Sequence, residues 1–421
     1  MQEPPSLEKI KGLIAAVQEE ESFACGFLNL VANEASMSNI ARRLQNSSLG
    51  ERYFSGAGTK DGFVDFEIFT CLGLPAAHEL ISTAEAATQD MLGAELVNLK
   101  TLSGIHAMTC VLVGVSEPGD CILTLRPEDG GHFATKSVIE RLGRRHAFLS
   151  VSTDTLKVDF EKARELITTQ NAKVIYLDIM YALALPDVAL IRNMLPSDIL
   201  IIFDASHFIG LMLGKAIRSP LLDGADIICA NTHKTLPGPH KGLIAYQKRS
   251  FGETVNKRIQ SFYSTSHTHH LLSLSVTLLE MLHFGEGYAR AIIENSNALG
   301  TSLHKLGYNV RRVSNRQFTD THQLHVDLGK HDDYIEMCRR LVRNKILVNF
   351  TDSFGPKIFI RFGVQDVTRR GMSIADMTTI GELVHRALLN ESVEAEVKNL
   401  LGKTQMISFS FDNTAGFQRF F

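Results

Sequence analysis

The strongest constraint on the fold is a rhythm of short apolar runs separated by helical stretches between about Pro75 and Tyr246. "CILTL" (Cys121–Leu125), "HAFLSV" (His146–Val151), "KVIYLDI" (Lys173–Ile179), "ILIIFD" (Ile199–Asp204) and "ADIICA" (Ala225–Ala230) read as strands, and "KGLIAYQ" as an added one. Their apolar residues are continuous, which suits strands buried on both faces. "PAAHELISTAEAATQDMLGAE" and "FEKARELITTQ" read as helices. Such alternation builds a mostly parallel α/β sheet covered on both sides. A long helix is expected from Leu271 to about His283. From about Tyr288 on, helices alternate with "QLHVDL", "ILVNF" and "KIFIRF", an α+β pattern. With 421 residues the chain is too long for one compact core. The expected organisation is an N-terminal arm (1–45), a large domain (46–285) and a smaller C-terminal α+β domain (286–421).

Composition narrows the function classes. Apolar residues make up 44% and charged residues 21%, as in an ordinary globular enzyme. A net charge of −3 gives no field favouring nucleic acid or an anionic membrane. No run approaches the roughly 18 apolar residues of a membrane span. The N-terminal "MQEPPSLEKIKGLIAAVQEEES" reads as an acidic amphipathic helix, without the basic-then-apolar plan of a secretory signal. Six cysteines, at 25, 71, 110, 121, 229 and 338, show neither CxxC nor metal-ligand spacing, so reduced thiols in a cytoplasm are expected. His267, His269 and His270 in "HTHH" would share an ion only if the backbone bent, and no acid or cysteine stands beside them. A substrate-side loop or plain surface is expected there, and no metal.

In open α/β sheets ligands gather beyond the carboxyl ends of the strands. Asp204 closes "ILIIFD". Lys234 follows "ADIICA" in the turn-rich "NTHKTLPGPHKG", directly after Thr232 and His233. Asp129 and His132 follow "CILTL" in "RPEDGGH", and Tyr181 follows "KVIYLDI". Ser103, Gly104 and Ile105 lead into a helix in "SGIH". These groups are expected to meet on one rim. A lysine amine with a lowered pKa forms a Schiff base with a carbonyl. Pyridoxal phosphate needs that lysine, and an acid against its pyridinium nitrogen. Backbone N–H groups at a helix start seat its phosphate, and a ring over its face adds to the binding. Lys234, Asp204, the "SGIH" turn and His132 fit these four roles. Asp129 reads equally as a helix cap or an acid. Arg369 and Arg370 read as solvated or carboxylate-paired structural charges.

These motifs carry a resemblance. Over about residues 25–375 the chain resembles the serine hydroxymethyltransferase branch of the fold-type I pyridoxal phosphate enzymes, through "FDASHFIGL", "NTHKTLPGPHKGLI", "SGIH", "VANEAS" and "IRFGVQDVTRRGM". The resemblance implies an aminotransferase-like fold with a mostly parallel seven-stranded sheet between helices, and pyridoxal 5'-phosphate as cofactor. It makes Lys234 the lysine that holds the cofactor, Asp204 the partner of the pyridine nitrogen and His207 a neighbour of the ring's O3′ side. It assigns Ser103, Gly104 and Ile105 to the phosphate turn, with Thr232 and His233 flanking the lysine. Asn33 and Glu34 fall on the substrate side. Tyr53 matches a catalytic-site tyrosine that reaches a neighbouring subunit, so a homodimer or tetramer with shared sites is implied. Arg361 matches the arginine that grips the substrate α-carboxylate, for which a guanidinium offers two parallel hydrogen bonds.

The departures sharpen the expectation. The family's His-Gly-Gly-His reads Asp129-Gly-Gly-His132, leaving His132 as the ring-stacking residue. The acid two residues after the family's tyrosine is replaced by Ser55, and the tyrosine pair of the folate-side wall by "GAGTKDGFVDF". The chain is more similar to the L-threonine transaldolases of natural-product pathways, through "DGGHFA", "TDTHQLH" (Thr319–His325), "GVQ..TRRGM" and "FSFDN". Met108 stands where those enzymes tend to carry a glutamate. This resemblance implies Cα–Cβ cleavage of L-threonine through a quinonoid carbanion and addition to another aldehyde, without folate. The alternatives are a lincosamide-type tailoring enzyme acting on a cysteine S-conjugate and, below it, a folate-dependent hydroxymethyltransferase.

Overall fold

The computed structural model describes residues 4–54, 63–66, 69–152, 157–181, 183–263, 265–328, 334–351, 359–403 and 406–420. Its central feature is the seven-stranded sheet that the resemblance implies. In chain order the strands are β1 (Leu96–Asn98), β2 (Cys121–Thr124), β3 (Arg145–Phe148), β4 (Ala172–Leu177), β5 (Leu200–Asp204), β6 (Ile227–Asn231) and β7 (Gly242–Tyr246). Their spatial order is β1-β7-β6-β5-β4-β2-β3, which puts β5 and its terminal Asp204 at the centre. β7 runs antiparallel to both its neighbours, and the pairings from β6 through β3 are parallel.

The apolar runs fold this way because each strand feeds two cores. Ile201 and Phe203 of β5, Ile175 and Leu177 of β4, and Ile228 and Ala230 of β6 pack on one face. Ile202, Val174, Tyr176, Ile227 and Cys229 pack on the other. A strand buried on both sides has no polar face to display, so it reads as an unbroken apolar run.

A 38-residue helix, Thr268–Lys305, follows the sheet. It is far longer than the expected Leu271–His283 and passes straight through residue 285. Gly285 in its interior lies against Gly214, where a Cβ would strike the backbone of Gly285. This close approach explains a glycine in mid-helix despite its cost there. Beyond the helix, a four-stranded antiparallel sheet forms from Asn309–Val310, Gln323–Asp327, Asn349–Thr351 and Phe359–Gly363. "ILVNF" divides: Ile346–Leu347 instead pairs in parallel with Leu28–Asn29 of the N-terminal segment. Two charges expected to be structural are ion-paired. Arg369 meets Glu280 of the long helix at 2.6 Å with both side chains buried, and Arg370 meets Asp366 at 3.0 Å.

Candidate active site

The carboxyl ends of β2, β4, β5 and β6 open on a cavity of ≈ 240 Å³. Ser103, Gly104, Ile105, His132, Asp204, His207, His233 and Lys234 all line it, together with Met108, Asp178, Asn231 and Ser206. Thr232 lies behind the lining. Its hydroxyl donates to Pro239 O at 2.5 Å and accepts from Lys241 N at 3.0 Å, which closes the lysine loop on itself.

Lys234 Nζ lies 3.0 Å from His207 Nε2. With its amide turned to satisfy both neighbours, Asn231 accepts from Nζ at 3.1 Å and donates to Ser206 O at 3.2 Å. Burial, with Arg361 adding to it, pulls the amine down to about 8 against the attraction of Asp204. Asp204 is braced from two sides. Tyr176 Oη donates to its Oδ2 at 2.8 Å, and Ser206 N donates to its Oδ1 at 2.9 Å. Burial also holds His132 and His207 below the ordinary imidazole value, so both rings are neutral near pH 7.

Helix Gly104–Val115 begins at the cavity wall. Ser103 caps it, its hydroxyl accepting from His106 N at 3.1 Å. The first-turn N–H groups of Gly104 and Ile105 have no acceptor within the helix. Gly104 must be glycine for packing, since a Cβ there would lie 2.9 Å from the Cβ of Asn231. His132 is anchored through its backbone N to Asp178 Oδ2 at 3.0 Å, and its Nδ1 accepts from Ala134 N at 3.2 Å. Asp178 also accepts from Leu125 N at 3.3 Å, and burial pushes its carboxyl up to about 7.

Arg361 stands beside the cavity rather than in its lining. Nη2 donates to Asn349 Oδ1 at 2.9 Å and Nη1 to Met180 O at 3.4 Å. Tyr181, expected on the rim, puts its ring 4.5 Å from the guanidinium. Arg361 Nε is buried without a partner, and no carboxylate pairs with this arginine among the described residues. The N-terminal segment reaches the same place: Ala32 N donates to the same Asn349 Oδ1 at 2.9 Å, and Ala32 O lies 3.0 Å from His322 Nε2. Asn33 and Glu34 follow directly but do not line the cavity. Glu34 Oε2 accepts from Asn29 Nδ2 at 3.1 Å, and Asn33 Oδ1 is buried without a partner. Tyr53 is 58% exposed and is also away from the lining.

Asp129 is neither reading offered for it. It closes a short 3-10 turn, Pro127–Asp129, and does not line the cavity. Helix Thr135–Arg141 starts at Ala134 with no side-chain cap. His267, His269 and His270 pack ring against ring at the start of the long helix, and the described residues contain no metal-binding cluster. Tyr176, Asp178, Ser206 and Asn231 escaped sequence reasoning. Tyr176 left a trace, since a tyrosine inside an apolar run must find a partner for its hydroxyl.

The set fits pyridoxal phosphate. A lysine of lowered pKa and a braced carboxylate face one cavity. A helix start with glycine at its first position offers free N–H groups, and a guanidinium with no carboxylate beside it among the described residues stands next to the cavity. Lys234 would hold the aldehyde carbon, Asp204 the ring nitrogen and Ser103–Ile105 the phosphate.

Known proteins agree. The family model described as serine hydroxymethyltransferase matches residues 8–384. A fluorothreonine transaldolase from Streptantibioticus cattleyicolor is 32% identical over 417 residues, 97% of this chain, although the chain spans only 65% of that protein's length. An L-threonine:uridine-5'-aldehyde transaldolase from a Streptomyces species is 31% identical over 365 residues, 85% of this chain and 84% of that protein. The crystal structure of L-threonine transaldolase from Pseudomonas fluorescens in its internal aldimine state superposes with a TM-score of 0.87 at 27% identity, covering 96% of this chain and 94% of that one. The chain thus belongs to the serine hydroxymethyltransferase family, and it is a pyridoxal phosphate-dependent enzyme of that group.

Proposed function

We propose that this enzyme is a transaldolase with L-threonine as donor. The Cα–Cβ bond of threonine breaks and acetaldehyde leaves. The glycine carbon then bonds to the carbonyl carbon of a second aldehyde, giving a new β-hydroxy-α-amino acid. The observation that carries this reading is the solved L-threonine transaldolase structure, which matches this chain over nearly its whole length. The two transaldolase relatives support it, and so does the setting in specialised metabolism that the resemblance implies.

When bound, pyridoxal phosphate supplies the electron sink that lets a bond to the amino acid's Cα break. Asp204, braced by Tyr176 and Ser206 N, holds the proton on the ring nitrogen. Arg361 takes the α-carboxylate, with its unpartnered Nε and the N–H groups of the guanidinium that Asn349 and Met180 leave unused. That grip fixes which Cα bond is presented for cleavage. His132 accepts Ala134 N–H at Nδ1, which puts its own proton on Nε2. It therefore offers a donor to the β-oxygen rather than a base. Lys234 Nζ, as the free amine, takes the proton of the β-hydroxyl of threonine and returns it to the oxygen of the second aldehyde when the new bond forms.

The working form is a cytoplasmic homodimer or a dimer of such dimers. The helix Leu7–Cys25 buries none of its residues in the single chain, with Leu7, Leu13, Ile14, Val17 and Phe23 exposed, and such an apolar face is covered by a second copy of the chain. We infer the same three units, an arm (1–45), a large domain (46–285) and a small domain (286–421), with the long helix running from the second into the third.

The test is incubation with L-threonine, alone and with a panel of aldehydes. Free acetaldehyde and a new β-hydroxy amino acid are expected. No acetaldehyde, together with serine formed from glycine and methylenetetrahydrofolate, would replace this reading with folate-dependent hydroxymethyl transfer. Products from a cysteine S-conjugate in place of acetaldehyde would replace it with the tailoring reaction.

A further inference from the structure

Lys241 is the second lysine of the loop that carries Lys234, and the reaction above leaves it unused. It is 1% exposed. Its Nζ donates to Ser266 O at 2.8 Å, and no carboxylate pairs with it among the described residues. A buried ammonium without an acid is costly, and burial pulls this one down to about 7. A fold that keeps such a group gains from it only where an anion arrives to meet its charge.

The surrounding backbone says which anion. Lys241 N donates to Thr232 Oγ1 at 3.0 Å, which fixes it within the cofactor-lysine loop. Gly242, the next residue, donates its N to Thr101 O at 3.0 Å. It is pressed so closely on the phosphate turn that a Cβ would strike Ser103 O and Thr101 Oγ1. The backbone of Lys241 and Gly242 thus runs against the residues that open the turn Ser103–Ile105, and the buried side chain starts from there towards Ser266 O. Its charge is also felt at His106, the residue after that turn, where it lowers the imidazole further. The turn itself presents only a hydroxyl, an aliphatic side chain and neutral N–H groups. A phosphate monoester brings about −1.5 to −2 charges at pH 7.

We propose that Lys241 is the cation of the phosphate seat, a positioning residue that sets positive charge behind the Ser103–Ile105 turn and so holds the phosphate of pyridoxal phosphate. It rests on the family's cofactor and not on the identity of the amino acid, so it stands whether or not L-threonine is the donor.

The test is binding to the cofactor-free protein, with pyridoxal phosphate compared against pyridoxal, which lacks the phosphate. Lys241→Met should weaken pyridoxal phosphate by about tenfold, the scale of one charge in a partly screened interior. It should leave pyridoxal within about twofold, and Lys241→Arg should keep both near the wild-type value. Inorganic phosphate should raise the melting temperature of the cofactor-free wild type above that in chloride of equal ionic strength, and the methionine variant should lose this response. Equal weakening of both ligands, or of neither, overturns the assignment. If Lys241→Met does not fold, Lys241→Gln takes its place. Failure of both to fold while Lys241→Arg folds makes the lysine a folding group and overturns the proposal as well.

Discussion

Replacing Lys234 by methionine should make the cofactor-free protein more stable at neutral pH while destroying its activity. Burial takes the amine from an ordinary 10.5 to about 8 in the folded chain. The unfolded chain therefore binds this proton more tightly. The burial cost is fully present below about pH 8 and fades as the pH rises towards about 10.5. The difference corresponds to roughly 3 kcal/mol. Methionine keeps most of the apolar stem. It forfeits the contacts of Nζ with His207 Nε2 at 3.0 Å and with Asn231 at 3.1 Å, worth about 1 kcal/mol together. The variant should gain about 1–2 kcal/mol at pH 7 and lose about 1 kcal/mol near pH 10.5, so the difference changes sign between the two. Urea unfolding of both cofactor-free proteins across that range measures it. Because Lys241 is present in both, its own titration cancels in the comparison. A difference that stays flat with pH, or a variant less stable at pH 7, would refute the reasoning. The strain stored in the folded enzyme is what makes the amine reactive towards a carbonyl, and methionine cannot carry it.

Borohydride reduction of the loaded enzyme, followed by peptide mapping, should mark Lys234, and a mark on Lys241 would reverse the assignment of the two lysines. Asp204→Asn should fold with an unchanged circular dichroism spectrum but release acetaldehyde from L-threonine at least about 100-fold more slowly, because an amide cannot hold the ring-nitrogen proton; near-normal turnover would leave Asp204 a structural group. Arg361→Ala should raise KM for L-threonine more than about tenfold through loss of paired hydrogen bonds to the carboxylate, and an unchanged KM would move the carboxylate site elsewhere. Arg369→Met should cost about 3–5 kcal/mol by stranding Glu280, and the double variant Arg369→Met/Glu280→Leu should recover most of it; in denaturant melts, a double variant no better than the single would deny that the stranded charge is the cause.

The parts of the fold legible in the sequence were those where burial leaves a continuous signature. Strands β2 and β4–β7 fall within two residues of their expected starts because an element covered on both faces cannot break its apolar run. β1, with three residues, and Leu28–Asn29, with two, are defined by their partners across the sheet, and no pattern that short stands out. The long helix was foreshortened for a related reason. Its buried face changes neighbours along its length, from Leu271, Leu274 and Leu278 in the first turns to Ile292, Leu299 and Leu303 beyond Gly285. The run "HFGEG" between them interrupts the apolar stripe on which periodicity depends.

The site divides along the same line. The meeting of Lys234 and Asp204 at one cavity was legible because an acid that closes a wholly apolar strand, and a lysine in the turn-rich loop just past another, fall at the same edge of a parallel sheet. What makes them work lies across the sheet. Tyr176 sits on β4, one strand away from Asp204, and its Oη also lies 3.0 Å from Cys229 Sγ on β6. Strand register alone brings these three together, and register cannot be read from one strand. Asp178 is a sharper case. It follows β4 just as Asp204 ends β5, yet its oxygens accept from Leu125 N and His132 N, so it shapes the loop that carries His132. Two acids at neighbouring strand ends thus differ in their partners: Asp204 is held by Tyr176 Oη and Ser206 N, and Asp178 by the backbone of the loop after β2. The choice between them was set by the glycines at 130 and 131: Met180 N donates to Gly130 O at 2.8 Å, and a Cβ on Gly131 would lie 2.6 Å from Leu125 O. That brings the "DGGH" loop onto Asp178, whose oxygens are taken by backbone N–H groups, and makes Asp204 the carboxylate we propose for the ring nitrogen.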